Sequence, residues 1–161
     1  MEDLKEYSDE ELLEAGRESV KIEQWARAKA FLQEYFDRRI AQGQPIPATA
    51  LASVALSLGH CNELRRGLEL CKRAQVSDPR NPYVSWCLAK LQLLSRSRKD
   101  AIETVERGLK SSPDNFVLLR LRKQLGVRQP PPLPFLNRNH GLNVRLGRLM
   151  HRLKGSAAAV A

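Results

Sequence analysis

Two stretches of the chain end alike, Ser77-Asp78-Pro79-Arg80-Asn81 and Ser111-Ser112-Pro113-Asp114-Asn115, with Pro79 and Pro113 34 positions apart. Laid on that step, Ala48 to Asn81 and Pro82 to Asn115 keep their small residues in register. Ala55 falls on Ala89, Gly67 on Ala101 and Ala74 on Gly108, while apolar Val54 meets Leu88 and Cys71 meets Val105. A fixed period of this size marks a repeat architecture, in which no unit buries its apolar stripe alone and each stacks on its neighbours. Leu, Ala, Arg, Lys, Glu and Gln dominate and only 6% of residues are aromatic, so intrinsic propensity favours helix over strand. The class expected is all-α.

A degenerate third copy precedes these two. Asp9 to Lys21 predicts a first helix with Ala15 and Gly16 at the small-residue place, and Gln24 to Ala41 a longer second helix with Ala28 at its own. The loop Gln42-Gly43-Gln44-Pro45-Ile46-Pro47 then interrupts the register. Boundary signals agree. Ser8-Asp9-Glu10-Glu11 is a capping box, and Asn81 before Pro82 is a cap followed by a proline whose missing donor costs nothing at the first helical position. Pro113-Asp114-Asn115 opens a final helix, Phe116 to Leu125, stopped by Gly126 and kept from continuing by Pro130-Pro131-Pro132.

The period, the small residues at Ala55 and Ala89, the second small residues at Gly67 and Ala101, and the closing Pro79 and Pro113 together resemble tetratricopeptide repeats, over about Asp9 to Asn115. Leu51 and Ser85 stand where that family often carries an aromatic, and Gly67 stands where it usually has Ala. A glycine inside a helix costs up to about 1 kcal/mol against alanine. The resemblance implies a right-handed α-solenoid of about three helix pairs plus a capping helix, with a groove lined by the first helix of each pair. It implies groove-facing positions at Leu13, Arg17, Val20 and Lys21, at Ala52, Leu56 and His60, and at Tyr83, Trp86, Lys90 and Leu93. Tyr83 and Trp86 offer amphipathic contact area, and Arg17, Lys21 and Lys90 offer donors for carboxylates or backbone carbonyls, which suits a peptide or helix of another protein. Trp86 packed between helices is the competing reading. Some members of that family hold a chaperone's C-terminal carboxylate in a basic clamp. Here Leu13, Ser53 and Cys87 stand where such a clamp needs Lys, Asn and Arg, so that ligand is not expected.

Catalytic patterns are absent from the sequence. His60, His140 and His151 form no metal pair at helical spacing, no Gly-rich phosphate loop follows a strand, and there is no nucleophile elbow. Cys61, Cys71 and Cys87 lack metal-ligand spacing and are odd in number, so they read as reduced structural thiols. No enzyme, cofactor or metal is expected. The best apolar run, Ala48 to Leu58, falls short of a membrane span, and the acidic amino terminus lacks the marks of a secretory signal, so the expected compartment is the cytoplasm.

Charge is unevenly placed on a chain of net +9: Met1 to Glu14 carries −6 and Arg128 to Ala161 carries +6. Acidic head and basic tail can meet within one molecule or between two, which leaves a homo-oligomer open. Within the tail a Pro-rich strap, residues 128–141, leads to a basic amphipathic helix, residues 142–154, and a featureless end, residues 155–161. Leu142, Leu146, Leu149, Met150 and Leu153 form one stripe, with Arg145, Arg148, Arg152 and Lys154 around it. Four fates stand open for this helix: packing on the repeat domain of residues 1–127, docking on a partner, lying on an anionic membrane surface, and binding nucleic acid, the last disfavoured because no aromatic platform accompanies the charge. The leading functional expectation is an adaptor or assembly scaffold that binds another protein. Behind it stand a chaperone for a secreted client, whose usual acidity this basic chain lacks, and a tail-mediated membrane tether.

Overall fold

The computed structural model describes residues 4–126 together with Gly141, Leu142, Arg145 and Leu146. Residues 4–126 form seven α-helices and no strand. After a 3₁₀ turn at Leu4–Glu6 come α1 (Asp9–Lys21), α2 (Trp25–Ala41), α3 (Ala48–His60), α4 (Leu64–Ser77), α5 (Pro82–Leu94), α6 (Arg98–Ser111) and α7 (Phe116–Gln124). The expected ends are met to within a residue; Gln24 becomes the N-cap of α2 and Leu125 the C-cap of α7. Among the described residues no helix is long and apolar enough to cross a membrane. Of the tail, Leu142, Arg145 and Leu146 are helical, while Arg148, Arg152, Lys154 and most of the strap lie outside the described residues.

The helix ends show why the chain repeats. At Ser8 the capping box closes in both directions, the backbone amide of Glu11 donating to the Ser8 hydroxyl and that of Ser8 to the Glu11 carboxylate. Asn81 Oδ1 accepts from the backbone amides of Tyr83 and Val84, at 3.0 and 3.4 Å, while its side-chain Nδ2 donates to the Asp78 carboxylate at 2.8 Å. Asn81→Ala strips all three and is expected to lower stability by about 1–2 kcal/mol, read as a fall in the urea midpoint at unchanged slope. Between the helices of each pair the chain reverses through one left-handed residue, Glu23, Asn62 or Arg96, with φ of 58°, 67° and 61°. In all three turns the next amide reaches back to the last helical turn, Gln24 to Ser19, Glu63 to Leu58 and Ser97 to Gln92. Asn62 and Arg96 are 34 apart, but Glu23 and Asn62 are 39 apart. Three of the five extra residues lengthen α2 to 17 against 14 in α4, and the other two lengthen the following loop.

The helices of each pair pack against one another, α1 on α2, α3 on α4 and α5 on α6, and α3 also packs on α1 and α5. α7 covers the far end on α6 and α5 through Leu118 and Leu121. One core runs from Val20 and Leu32 through Leu51, Leu58 and Cys71 to Val84, Leu88 and Leu91; a second gathers Leu12, Phe31, Tyr35 and Ala50, with Tyr7 edge-on to Phe31. Helix α3 packs on α1, α2, α4 and α5, and each residue from Ala50 to Leu58 is buried.

All three cysteines are free thiols; Cys71 and Cys87 are buried and Cys61 half-buried. Burial pushes the Cys71 thiol up to about 12 and that of Cys87 well above its ordinary value. The thiolate is the reactive form, so at pH 8 the native protein is expected to label at one thiol, Cys61, with iodoacetamide, and at all three in denaturant, as counted by intact mass.

Candidate functional site

Residues 17, 20 and 21 of α1 lie three and four positions apart and share one helix face, as do 83, 86 and 90 of α5. The start of α3 contributes Thr49 to the space beside them, in a stretch where Ala48, Ala50, Ala52 and Ser53 are small. The result is a cavity of about 500 Å³ lined by Arg17, Val20 and Lys21, by Glu23 and Trp25 of the first turn, by Thr49, by Tyr83, Trp86 and Lys90, and by Val117 of α7. That volume falls in the range of about 300–1,000 Å³ typical of ligand pockets.

Local bonds hold the lining in place. The Ser53 hydroxyl donates to the Thr49 carbonyl at 3.0 Å, which leaves it to accept from the Tyr83 hydroxyl at 2.8 Å. Burial, chiefly, pushes the Tyr83 phenol above its ordinary range, so it stays a neutral donor. Its ring lies 5.7 Å from that of Trp86, and Lys90 Nζ stands 5.9 Å from the centre of the Trp86 ring. Across the cavity Arg17 donates to Thr49 Oγ1 at 3.0 Å. Trp25 lies flat on His60, with ring centres 3.7 Å apart and planes 4° from parallel. Burial, and then the nearby charge of Lys90, lower the His60 pKa, so the imidazole under Trp25 is neutral at pH 7. Lys21 pairs with Glu18 one turn back, which raises its pKa.

Six of the eleven positions expected on the groove, Arg17, Val20, Lys21, Tyr83, Trp86 and Lys90, are brought together around this cavity. Of the other five, Leu13 and Leu93 are half-buried and do not line it, and Ala52 is fully buried. Leu56 is 0% exposed, because α5 packs along the flank of α3 where an open surface was expected. His60 is half-buried beneath Trp25 and supports the wall without forming it. Tyr83 and Trp86 are themselves half-buried, since both pack on the main core while presenting one side to the cavity. Thr49, Glu23, Trp25 and Val117 were not foreseen. Trp25 and Glu23 are outside the first helices and reach the cavity only through the left-handed turn at Glu23. Of the four basic tail residues singled out, Arg145 is exposed and the others lie outside the described residues.

No protein-family model and no curated protein matches the sequence. Solved structures do match in fold. The TPR domain of Arabidopsis OM64 superposes with a TM-score of 0.57 at 20% identity, covering 73% of this chain and 93% of that one. The TPR domain of Sgt2 from Aspergillus fumigatus gives 0.59 at 15% identity, covering 83% and 91%. The first TPR of Spaghetti (RPAP3), solved bound to the HSP90 peptide SRMEEVD, gives 0.57 at 15% identity, covering 71% and 89%. The fold is that of tetratricopeptide repeat domains.

Proposed function

We propose that this tetratricopeptide-type solenoid is a non-catalytic adaptor or assembly scaffold that holds a peptide or helix of another protein between α1 and α5. The observation that carries this reading is the cavity itself, where Trp25, Tyr83 and Trp86 offer rigid amphipathic surface and Arg17 and Lys90 offer donors beside it. Aromatic and arginine side chains in a partly desolvated pocket are the usual bearers of binding energy. That the structurally similar Spaghetti (RPAP3) domain was solved with a peptide bound supports it further.

Affinity capture from the native cell tests the proposal. The protein and its Trp86→Ala, Lys90→Glu double variant, matched for far-ultraviolet circular dichroism, are compared by quantitative mass spectrometry. Truncating a central anchor costs on the order of 2 kcal/mol or more, so recovery of the groove partner is expected to fall more than about tenfold. An identical set of captured proteins from both would remove the groove from the account.

A further inference from the structure

We infer that the segment held in this cavity is an internal stretch of extended chain carrying two carboxylates three residues apart, with an apolar side chain between them. The inference rests on the docking reading above and concerns what the groove selects.

Its basis is where the cations stand. Arg17 projects from α1 at the Tyr83 end: it donates to Thr49, and its charge is felt at the Tyr83 phenol. Lys90 projects from α5 at the other end, beside Trp86, with its charge felt at His60 beneath Trp25. Tyr83 and Lys90 are seven residues apart on α5, and at about 1.5 Å per residue the two ends lie about 10 Å apart. An extended chain covers that distance in about three residues at roughly 3.3 Å each. An odd step also places the two side chains on opposite faces of the segment, which suits cations on opposite walls. Between them Val20, Trp25 and Trp86 leave an apolar stretch of wall for the intervening side chain.

The other charges of the lining are Lys21 and Glu23. Lys21 is already held by Glu18, and Glu23 is felt at His60 together with Lys90, so it stands at the Lys90 end. A carboxylate brought to Lys21 meets Glu18, so Arg17 and Lys90 are the effective pair. A free chain end lacks a matching set of donors. Ser53 is committed to Thr49 and Tyr83, the Cys87 thiol is fully buried and neutral, and Arg17 and Lys90 stand at opposite ends of the cavity where a clamp would need them to converge.

The test uses an array of N-terminally acetylated peptides, each made with an amidated and with a free C-terminus, with Glu or Asp pairs at spacings from one to six residues around Leu, Phe or Trp. Fluorescence polarisation then follows the tightest peptide on the whole chain, with Arg17→Glu and Lys90→Glu checked for folding by circular dichroism. A spacing of three is expected to bind tightest, and each Glu→Gln change in the peptide to weaken it about twofold to fivefold. A peptide with Lys in place of one Glu is expected to restore binding to the matching charge-reversed variant. Three results overturn the inference while leaving the docking reading intact: apolar peptides that bind regardless of acids, a different preferred spacing, or a requirement for a free C-terminal carboxylate. Absence of binding by any peptide, together with indifference to Trp86→Ala, overturns both.

Discussion

Gly67→Ala is expected to lower the stability of the repeat domain by about 2–3 kcal/mol, although alanine is the better helix former by up to about 1 kcal/mol. Gly67 sits in the first turns of α4 where that helix crosses α3. A β-carbon there would lie 2.5 Å from the Ala55 carbonyl oxygen and 3.1 Å from the Gly59 nitrogen. Both atoms are backbone of a buried helix, so no side-chain rotation relieves the clash and α3 and α4 must move apart. Chemical denaturation measures the change directly. A stabilised variant would mean that the two helices do not approach as closely as described.

The second large effect is expected at Leu56. Because Leu56 is among the largest fully buried side chains, Leu56→Ala removes core contacts and is expected to cost about 2–5 kcal/mol. Were Leu56 instead part of a solvent-facing groove, truncation would stay within about 0.5 kcal/mol and act on binding alone. The urea midpoint of this one variant separates the two placements.

These two positions also show where the sequence is informative and where it is not. The 34-residue step is legible because the same turn is built each time, and its physical trace is the left-handed residue at Asn62 and again at Arg96. Capping residues Ser8, Asn81 and Asn115 are legible because a helix start needs a side-chain acceptor for its unpaired amides. Gly67 reads as a departure from the repeat with a penalty attached; its reason, contact between two backbones, exists only after the helices pack. Leu56 lies on the predicted face of α3, but the middle helix of the array has neighbours on both flanks, and periodicity along one helix does not count neighbours. Trp25 opens a second helix, a position that repeat logic assigns to the outer layer, and the turn at Glu23 brings it round to stack on His60. On the site as a whole, helical spacing of three and four correctly grouped Arg17 with Lys21 and Tyr83 with Trp86 and Lys90, whereas the floor and ends of the cavity depended on packing.

The chain has two tryptophans, Trp25 and Trp86, and both line the cavity between α1 and α5. Intrinsic fluorescence is therefore a probe of this one place, and titrating the protein with the tightest peptide or captured partner while quenching with acrylamide is the most direct measurement. Occupation of the cavity predicts a shifted tryptophan emission and a quenching constant that falls in step with binding, with both responses retained in part in Trp25→Phe and in Trp86→Phe. Saturable binding that leaves emission and quenching of both tryptophans unchanged would place the docking surface elsewhere on the molecule.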